Sequence, residues 1–226
     1  MATLIKRLLT LGCVALASLT ASCTNPFRPA DPPPPSGNAV VENFATPAAV
    51  LETIADAIRN KGPSGQTAYA NAFAESTATR LTSRAFYAFH FPAVVANWRT
   101  ISQREPPSPW DLTLERNFYN YLVGVYETFD YTFVWERDSG SPNDEIDDAS
   151  GTALLHRKYT LVASSESTLE VKVIAIGFVD LFLYKDSGRW AIYRWQDRID
   201  PQVGVTPVDP DELSMGARRL NSQSAP

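Results

Sequence analysis

Residues 177–197, GFVDLFLYKDSGRWAIYRWQD, decide the fold: two alternating apolar runs meet at Asp186-Ser187-Gly188, a polar loop of the kind that reverses one strand onto the next. The first run extends back to residue 169, and residues 152–163 read as another long strand. Further upstream, Phe129, Tyr131, Phe133 and Trp135 alternate with Asp130, Thr132, Val134 and Glu136, the period of a strand with one apolar face. The acidic stretch 143–148 (NDEIDD) falls between strands and is flanked by Ser139-Gly140-Ser141-Pro142 and Ser150-Gly151, which makes it a solvated hairpin tip. The first half of the chain has a different period. Thr46-Pro47 supplies a capping hydroxyl and then a proline at the first helical position, and Val50, Leu51, Ile54 and Ile58 follow at helical spacing up to Gly62-Pro63. A second helix is expected over 64–74, with Tyr69 and Phe73 four apart, then a strand over 85–91. Ser108-Pro109 opens a third helix whose stripe is Leu114, Phe118 and Leu122. Helices first and an antiparallel meander afterwards give an α+β layer fold, helices on one antiparallel sheet.

The N-terminus carries an address. Lys6 and Arg7 precede twelve mostly apolar residues, 8–19, and Thr20-Ala21-Ser22 then leads to Cys23. Basic start, short apolar run and small residues are the order of a secretory signal. The run is shorter than the roughly 20 residues that span a membrane core. Leu19-Thr20-Ala21-Ser22-Cys23 resembles the lipobox of bacterial lipoproteins, departing from it at Thr20, where that family places its leucine. The resemblance implies a signal peptide over 1–22 and fatty acylation of Cys23, palmitate included, with a stable hold on the membrane because more than one chain is attached. Residues 23–39 then form the anchor and a spacer dominated by Pro32 to Pro35, which favours extended polyproline conformation. A single α+β body follows over 40–200, and a polar tail over 201–226 with a short turn of helix around 212–220. Cys13 would leave with the signal, so Cys23 would be the one remaining cysteine and no disulfide would staple the body. Losing Lys6 and Arg7 takes the net charge from −5 to −7, and no basic run follows the spacer, so nucleic acid is not an expected partner. The expected location is the bacterial cell envelope, lipid-anchored. Thr24 after Cys23, in place of Asp, favours the outer membrane, with periplasmic and surface-facing exposure both open.

A second resemblance rests on two stretches. The opening TPAAVLETIADAIRNKGPSGQTAYANAF, residues 46–73, and the closing hairpin with Trp190, Ile192, Trp195 and Asp197 are similar to the ends of nuclear-transport-factor-2-like domains, also called ketosteroid-isomerase-like or cystatin-like. That resemblance implies a strongly curved antiparallel sheet wrapped around a long helix, forming a cone with an open mouth. Its members include isomerases, dehydratases, hydrolases, transport adaptors and binding domains, so the fold leaves function open.

Catalytic motifs are scarce. The two histidines, His90 and His156, have no second ligand at a recognisable spacing, and the acidic stretch lacks the alternating ligands and glycine of a calcium loop, so neither metal nor cofactor is expected. No Gly-x-Ser-x-Gly elbow and no phosphate-binding glycine loop occurs. The remaining route is a carboxylate in an apolar cone. Asp180 is the weak catalytic candidate, because a charge at mid-strand in GFVDLFLY must be paired, hydrated or used. A regular strand puts it on one face with Ile176, Phe178, Phe182 and Tyr184; the alternative role is a salt bridge to Arg194, Arg157 or Lys158 across the sheet, or a place on the open face of that sheet. Tyr131, Trp135, His156, Tyr159, Phe178 and Trp195 either thicken the core or line a pocket suited to a flat or acyl-like apolar ligand. Two functions follow. The first is a tethered, non-enzymatic interaction domain for a small apolar ligand or an envelope protein. The second is an isomerase- or dehydratase-like enzyme using a buried carboxylate.

Overall fold

The computed structural model describes residues 39–74, 87–90, 110–198 and 214–223. The lipobox, Cys23, the proline spacer, Ser108 and Pro109 lie outside them. The elements run α1 (Pro47–Arg59), α2 (Pro63–Asn71), β1 (Ala88–His90), α3 (Leu112–Val125), β2 (Asp130–Arg137), β3 (Glu145–Asp147), β4 (Thr152–Ser165), β5 (Glu170–Asp186), β6 (Arg189–Arg198) and α4 (Met215–Ser222). Among the described residues no helix is long and apolar enough to cross a membrane.

α1 starts as its sequence requires: Thr46 is extended, its side chain accepts the Ala49 N–H, and Pro47 needs no partner. Val50, Leu51, Ile54 and Ile58 then form its buried stripe. Full burial of each such side chain is worth roughly 1.5–3 kcal/mol, which outweighs the small propensity cost of the β-branched residues. α3 starts later than Ser108-Pro109 suggests. Its cap is Asp111, whose carboxylate accepts the N–H groups of Thr113 and Leu114. An aspartate there satisfies two orphan donors and meets the helix dipole with the right sign.

Among the described residues the sheet is mixed, six-stranded and open, in the order β1-β6-β5-β4-β2, with β3 sharing the outer edge of β4. Of these strands only β1 runs parallel to its neighbour, Phe89 lying opposite Trp195. β5 and β6 turn at Ser187 and Gly188, whose φ values of 53° and 83° make the twisted two-residue hairpin that the sequence signals. Register shifts at Leu161/Val162 in β4 and Phe182/Leu183 in β5 act as bulges, which increase twist and bend the sheet.

The bend gives the sheet a helix-covered inner face and an outer face. Tyr131 and Phe133 of β2, Leu155, Tyr159 and Leu161 of β4, and Val179, Leu181 and Leu183 of β5 are buried in one cluster with α1, α2 and α3. The result is an α+β fold of helices against one face of a curved sheet. The polar tail holds a surprise. Its helix α4 runs over Met215–Ser222 and contacts α3 and β5, with Met215, Ala217, Arg219 and Leu220 buried. One face of α4 is therefore part of the body's interior.

Candidate functional site

Strand parity separates the residues singled out from the sequence. Asp180 does share a face with Phe178 and Phe182, and that face is the outer one, since its neighbours Val179 and Leu181 are the buried pair. Cross-strand pairing puts His156 beside it, and His156 Nδ1 lies 2.7 Å from Asp180 Oδ1. The Arg198 guanidinium donates to the same oxygen at 3.0 Å and to Asp138 Oδ2 at 3.2 Å. Asp180 is thus held between two basic side chains, 20% exposed, and its salt-bridge partner is Arg198 rather than Arg194, Arg157 or Lys158. Arg157 is instead clamped in a bidentate pair with Asp144, which leads into β3; part of the acidic stretch is thus a strand paired with β4, and the hairpin's turn lies after it. His156 and Phe178 also belong to the outer face, away from the helices. Among the described residues no three His, Cys, Asp or Glu side chains cluster as metal ligands do.

Tyr131, Trp135, Tyr159 and Trp195 are brought together on the inner face. Trp195 is wholly buried, with ring centroids 5.7 Å from Trp135, 6.4 Å from Tyr159 and Phe89, and 6.5 Å from Phe73. Two of the four polar tips are spent on backbone: the Tyr131 hydroxyl donates to Leu122 O at 2.7 Å and the Trp135 indole N–H donates to Leu51 O at 3.0 Å. Both bonds tie the sheet to a helix.

Two buried carboxylates, neither predicted as site residues, organise the interior. The first is Glu115 on α3, one turn before Phe118 on the same face. Arg219 of α4 grips it through both arms, Nη2 to Oε1 at 2.6 Å and Nε to Oε2 at 2.9 Å, with both side chains fully buried. The Tyr69 hydroxyl and the Trp110 indole donate to the same two oxygens, at 2.6 and 2.8 Å. Four donors saturate the carboxylate. The guanidinium carbon sits 3.9 Å from the Phe89 centroid, 4.6 Å from Phe118 and 4.7 Å from Trp195. Burial alone would lower the affinity of Arg219 for its proton; the adjoining Glu115 charge reverses that and raises it. Tyr69 and Tyr87 are both driven well above the usual tyrosine range, by burial first and by Glu115 second.

The second carboxylate is Asp197, two residues beyond Trp195 on the inner side of β6. Tyr159 donates to its Oδ1 at 2.7 Å, and the Gly216 N–H donates to its Oδ2 at 2.9 Å. The Met215 N–H in turn donates to the Tyr159 oxygen at 2.9 Å. Burial pushes the Asp197 carboxyl up to about 6, partly opposed by the Tyr159 bond, the Arg219 charge and the Gly216 N–H. An acid and a phenol in contact, one titrating near neutrality, are the parts of a proton-transfer site. Here α4 takes one further position on each, through the Gly216 and Met215 N–H groups.

Gly177 makes room for this arrangement. It lies opposite Tyr159 in the β4–β5 ladder, and a Cβ there would overlap the Tyr159 hydroxyl and stand 2.8 Å from Arg198 O. Gly177→Ala is expected to displace the Tyr159 ring and cost about 1–3 kcal/mol by overpacking, read as a lower urea midpoint at unchanged slope.

No family model matches the chain, and no characterised protein matches it in sequence. Its backbone is similar to those of several solved structures. A Mycobacterium tuberculosis protein of unknown function is 14% identical, over 77% of this chain and 85% of that one, with a TM-score of 0.48. A cystatin-like-fold protein of unknown function from Nostoc punctiforme is 13% identical over 70% and 92%, TM-score 0.39. A ketosteroid isomerase-like protein from Erwinia carotovora atroseptica is 15% identical over 68% and 91%, TM-score 0.37. These likenesses are of chain path and bear on neither activity nor ligand.

Glu115 and Arg219 escape sequence reasoning for different reasons. Glu115 stands three and seven residues before Phe118 and Leu122, so an acid on an apolar stripe is the available signal. Arg219 lies in a polar tail, where nothing marks one arginine of an Arg-Arg pair as the buried one.

Proposed function

We propose that this chain is a lipid-anchored envelope protein whose body is a non-enzymatic interaction domain. The observation that carries the second half is the occupant of the inner face. The space against Phe89, Phe118 and Trp195, where a cone-type domain would admit a small molecule, holds the chain's own Arg219. Both buried carboxylates spend their oxygens on residues of α4 and its neighbours. Asp180, the carboxylate that a sequence search favours, is on the opposite face and tied to Arg198. The anchor rests on the order of residues 1–23, and partners of the body would be an envelope protein or a small apolar ligand.

A second reading, a proton-transfer enzyme of isomerase or dehydratase type, is favoured by one observation: Tyr159 and the raised carboxyl of Asp197 in direct contact. It requires α4 to leave first.

Hydrogen exchange of the Trp110 and Trp195 indoles separates the two. A closed interior predicts that both exchange only through global unfolding, with protection that tracks stability as denaturant is added. Exchange through a local opening, independent of denaturant, sinks the closed-interior reading and favours the enzyme. The anchor has its own test. Incorporation of an alkynyl palmitate probe and recovery in the membrane fraction are both expected to vanish in Cys23→Ala; unchanged labelling in that variant defeats the lipoprotein reading.

A further inference from the structure

The surroundings of Arg219 are those of a receptor. A bidentate carboxylate (Glu115) fixes the plane of the guanidinium, and Tyr69 and Trp110 fix the plane of the carboxylate from its other side. Phe89, Phe118 and Trp195 surround the cation with ring faces or edges within 4.7 Å. This chemistry discriminates among cations. A guanidinium is planar, weakly hydrated, forked to match a carboxylate, and able to stack on rings, whereas an ammonium is a compact, strongly hydrated point charge. The arginine also fits imperfectly. Its Nη1 and the Tyr87 hydroxyl are both buried with no hydrogen-bond partner among the described residues.

The segment that delivers the cation is short. α4 has 8 residues; among the described residues its first turn is hydrogen-bonded to Tyr159 and Asp197 of the sheet, and Arg218 Nε donates to Ile174 O of β5 at 2.6 Å. We propose that the inner face of this domain is a guanidinium-binding site, loaded in cis by Arg219, so that residues 214–223 are a built-in ligand and the site's ligand class is the arginine side chain or another monoalkyl guanidinium. The inference rests on the reading of the interior as filled by α4, and it names what that interior selects.

The full chain carrying Arg219→Ala leaves the carboxylate and the rings in place and opens a space the size of an alkylguanidinium. Ethylguanidinium, which matches the atoms removed beyond Cβ, is expected at millimolar concentration to raise the melting temperature of that variant in a saturable way. Ethylammonium should do so about tenfold less effectively, as the loss of the fork and of ring stacking requires. Wild-type protein should show no saturable response, its site being full, and the double variant Glu115→Gln/Arg219→Ala should show none either. If Arg219→Ala alone is unfolded, the same compound is expected to restore its near-ultraviolet circular dichroism. Equal rescue by both cations, rescue that survives loss of Glu115, or no rescue at all overturns the proposal. Its failure is distinguishable from failure of the closed interior: the wild-type indoles can stay protected while the variant ignores guanidinium, and the reverse holds as well.

Discussion

Glu115→Ala is expected to be the most damaging single substitution in the body, costing roughly 3–5 kcal/mol, because it leaves the Arg219 charge buried with no carboxylate in contact. The cost has three sources. The guanidinium loses both of its carboxylate bonds, the Tyr69 hydroxyl and Trp110 indole lose the acceptor they share, and a cavity opens beside Phe118. At about 2–4 °C per kcal/mol for a domain of this size, the melting temperature should fall by roughly 6–20 °C. A double substitution sharpens the point. A buried ion pair can often be exchanged for apolar side chains of similar volume without loss, since the pair's attraction mostly offsets its own desolvation. Glu115→Leu with Arg219→Met should therefore recover most of what Glu115→Ala loses, short of the two donors still stranded at Tyr69 and Trp110. A double variant as unstable as the single would mean that the damage comes from the orphaned tyrosine and tryptophan, with the lone charge a minor part. Thermal unfolding of the three proteins decides between these outcomes.

The sheet is legible in the sequence because strand signals are local. Alternation over 129–136, the Asp186-Ser187-Gly188 turn and the long runs on either side each need only neighbours along the chain to be read, and the observed strands β2, β4, β5 and β6 follow them closely. α1 is legible for the same reason, since Thr46, Pro47 and the 50-51-54-58 stripe carry both its cap and its buried face. What single-sequence reading cannot supply is which side of a strand faces the helices. Asp180 shares a face with Phe178 and Phe182 as its spacing requires, and His156 pairs with it across the strands, but that face turns away from the interior. A period of two fixes relative sidedness and leaves the absolute choice to tertiary packing. α4 is hidden by a different cause. Its residues 215–222, MGARRLNS, are polar on average, and they are buried because Glu115 and Asp197, distant in sequence, provide matching charges and acceptors. Composition measures the cost of burying such a segment. It does not see the partners that offset it.

The second large effect is a pH dependence with an unusual sign. Asp138 and Asp144 are held below the ordinary aspartate range, because hydrogen bonds and arginines outweigh burial. They make the fold more stable as pH rises. Asp197 does the opposite. Its folded carboxyl keeps its proton up to about pH 6, against an ordinary value of 3.8. Between those values the native state binds more protons than the unfolded chain, so stability is lost as pH climbs through the window and levels off above it. A gap of that width corresponds to about 3 kcal/mol. The rival acids would mask this slope in the wild type alone, and a comparison with Asp197→Asn removes them, because both proteins carry the same background. The stability of wild type minus that of Asp197→Asn, from urea titrations spanning this window and extending to neutral pH, is expected to fall by about 3 kcal/mol across the series. Parallel curves would show that Asp197 is ionised throughout. The Gly216 N–H and the Tyr159 hydroxyl would then hold a charge inside the protein at no measurable cost, and the N-terminus of α4 would be docked as firmly in mild acid as at neutrality.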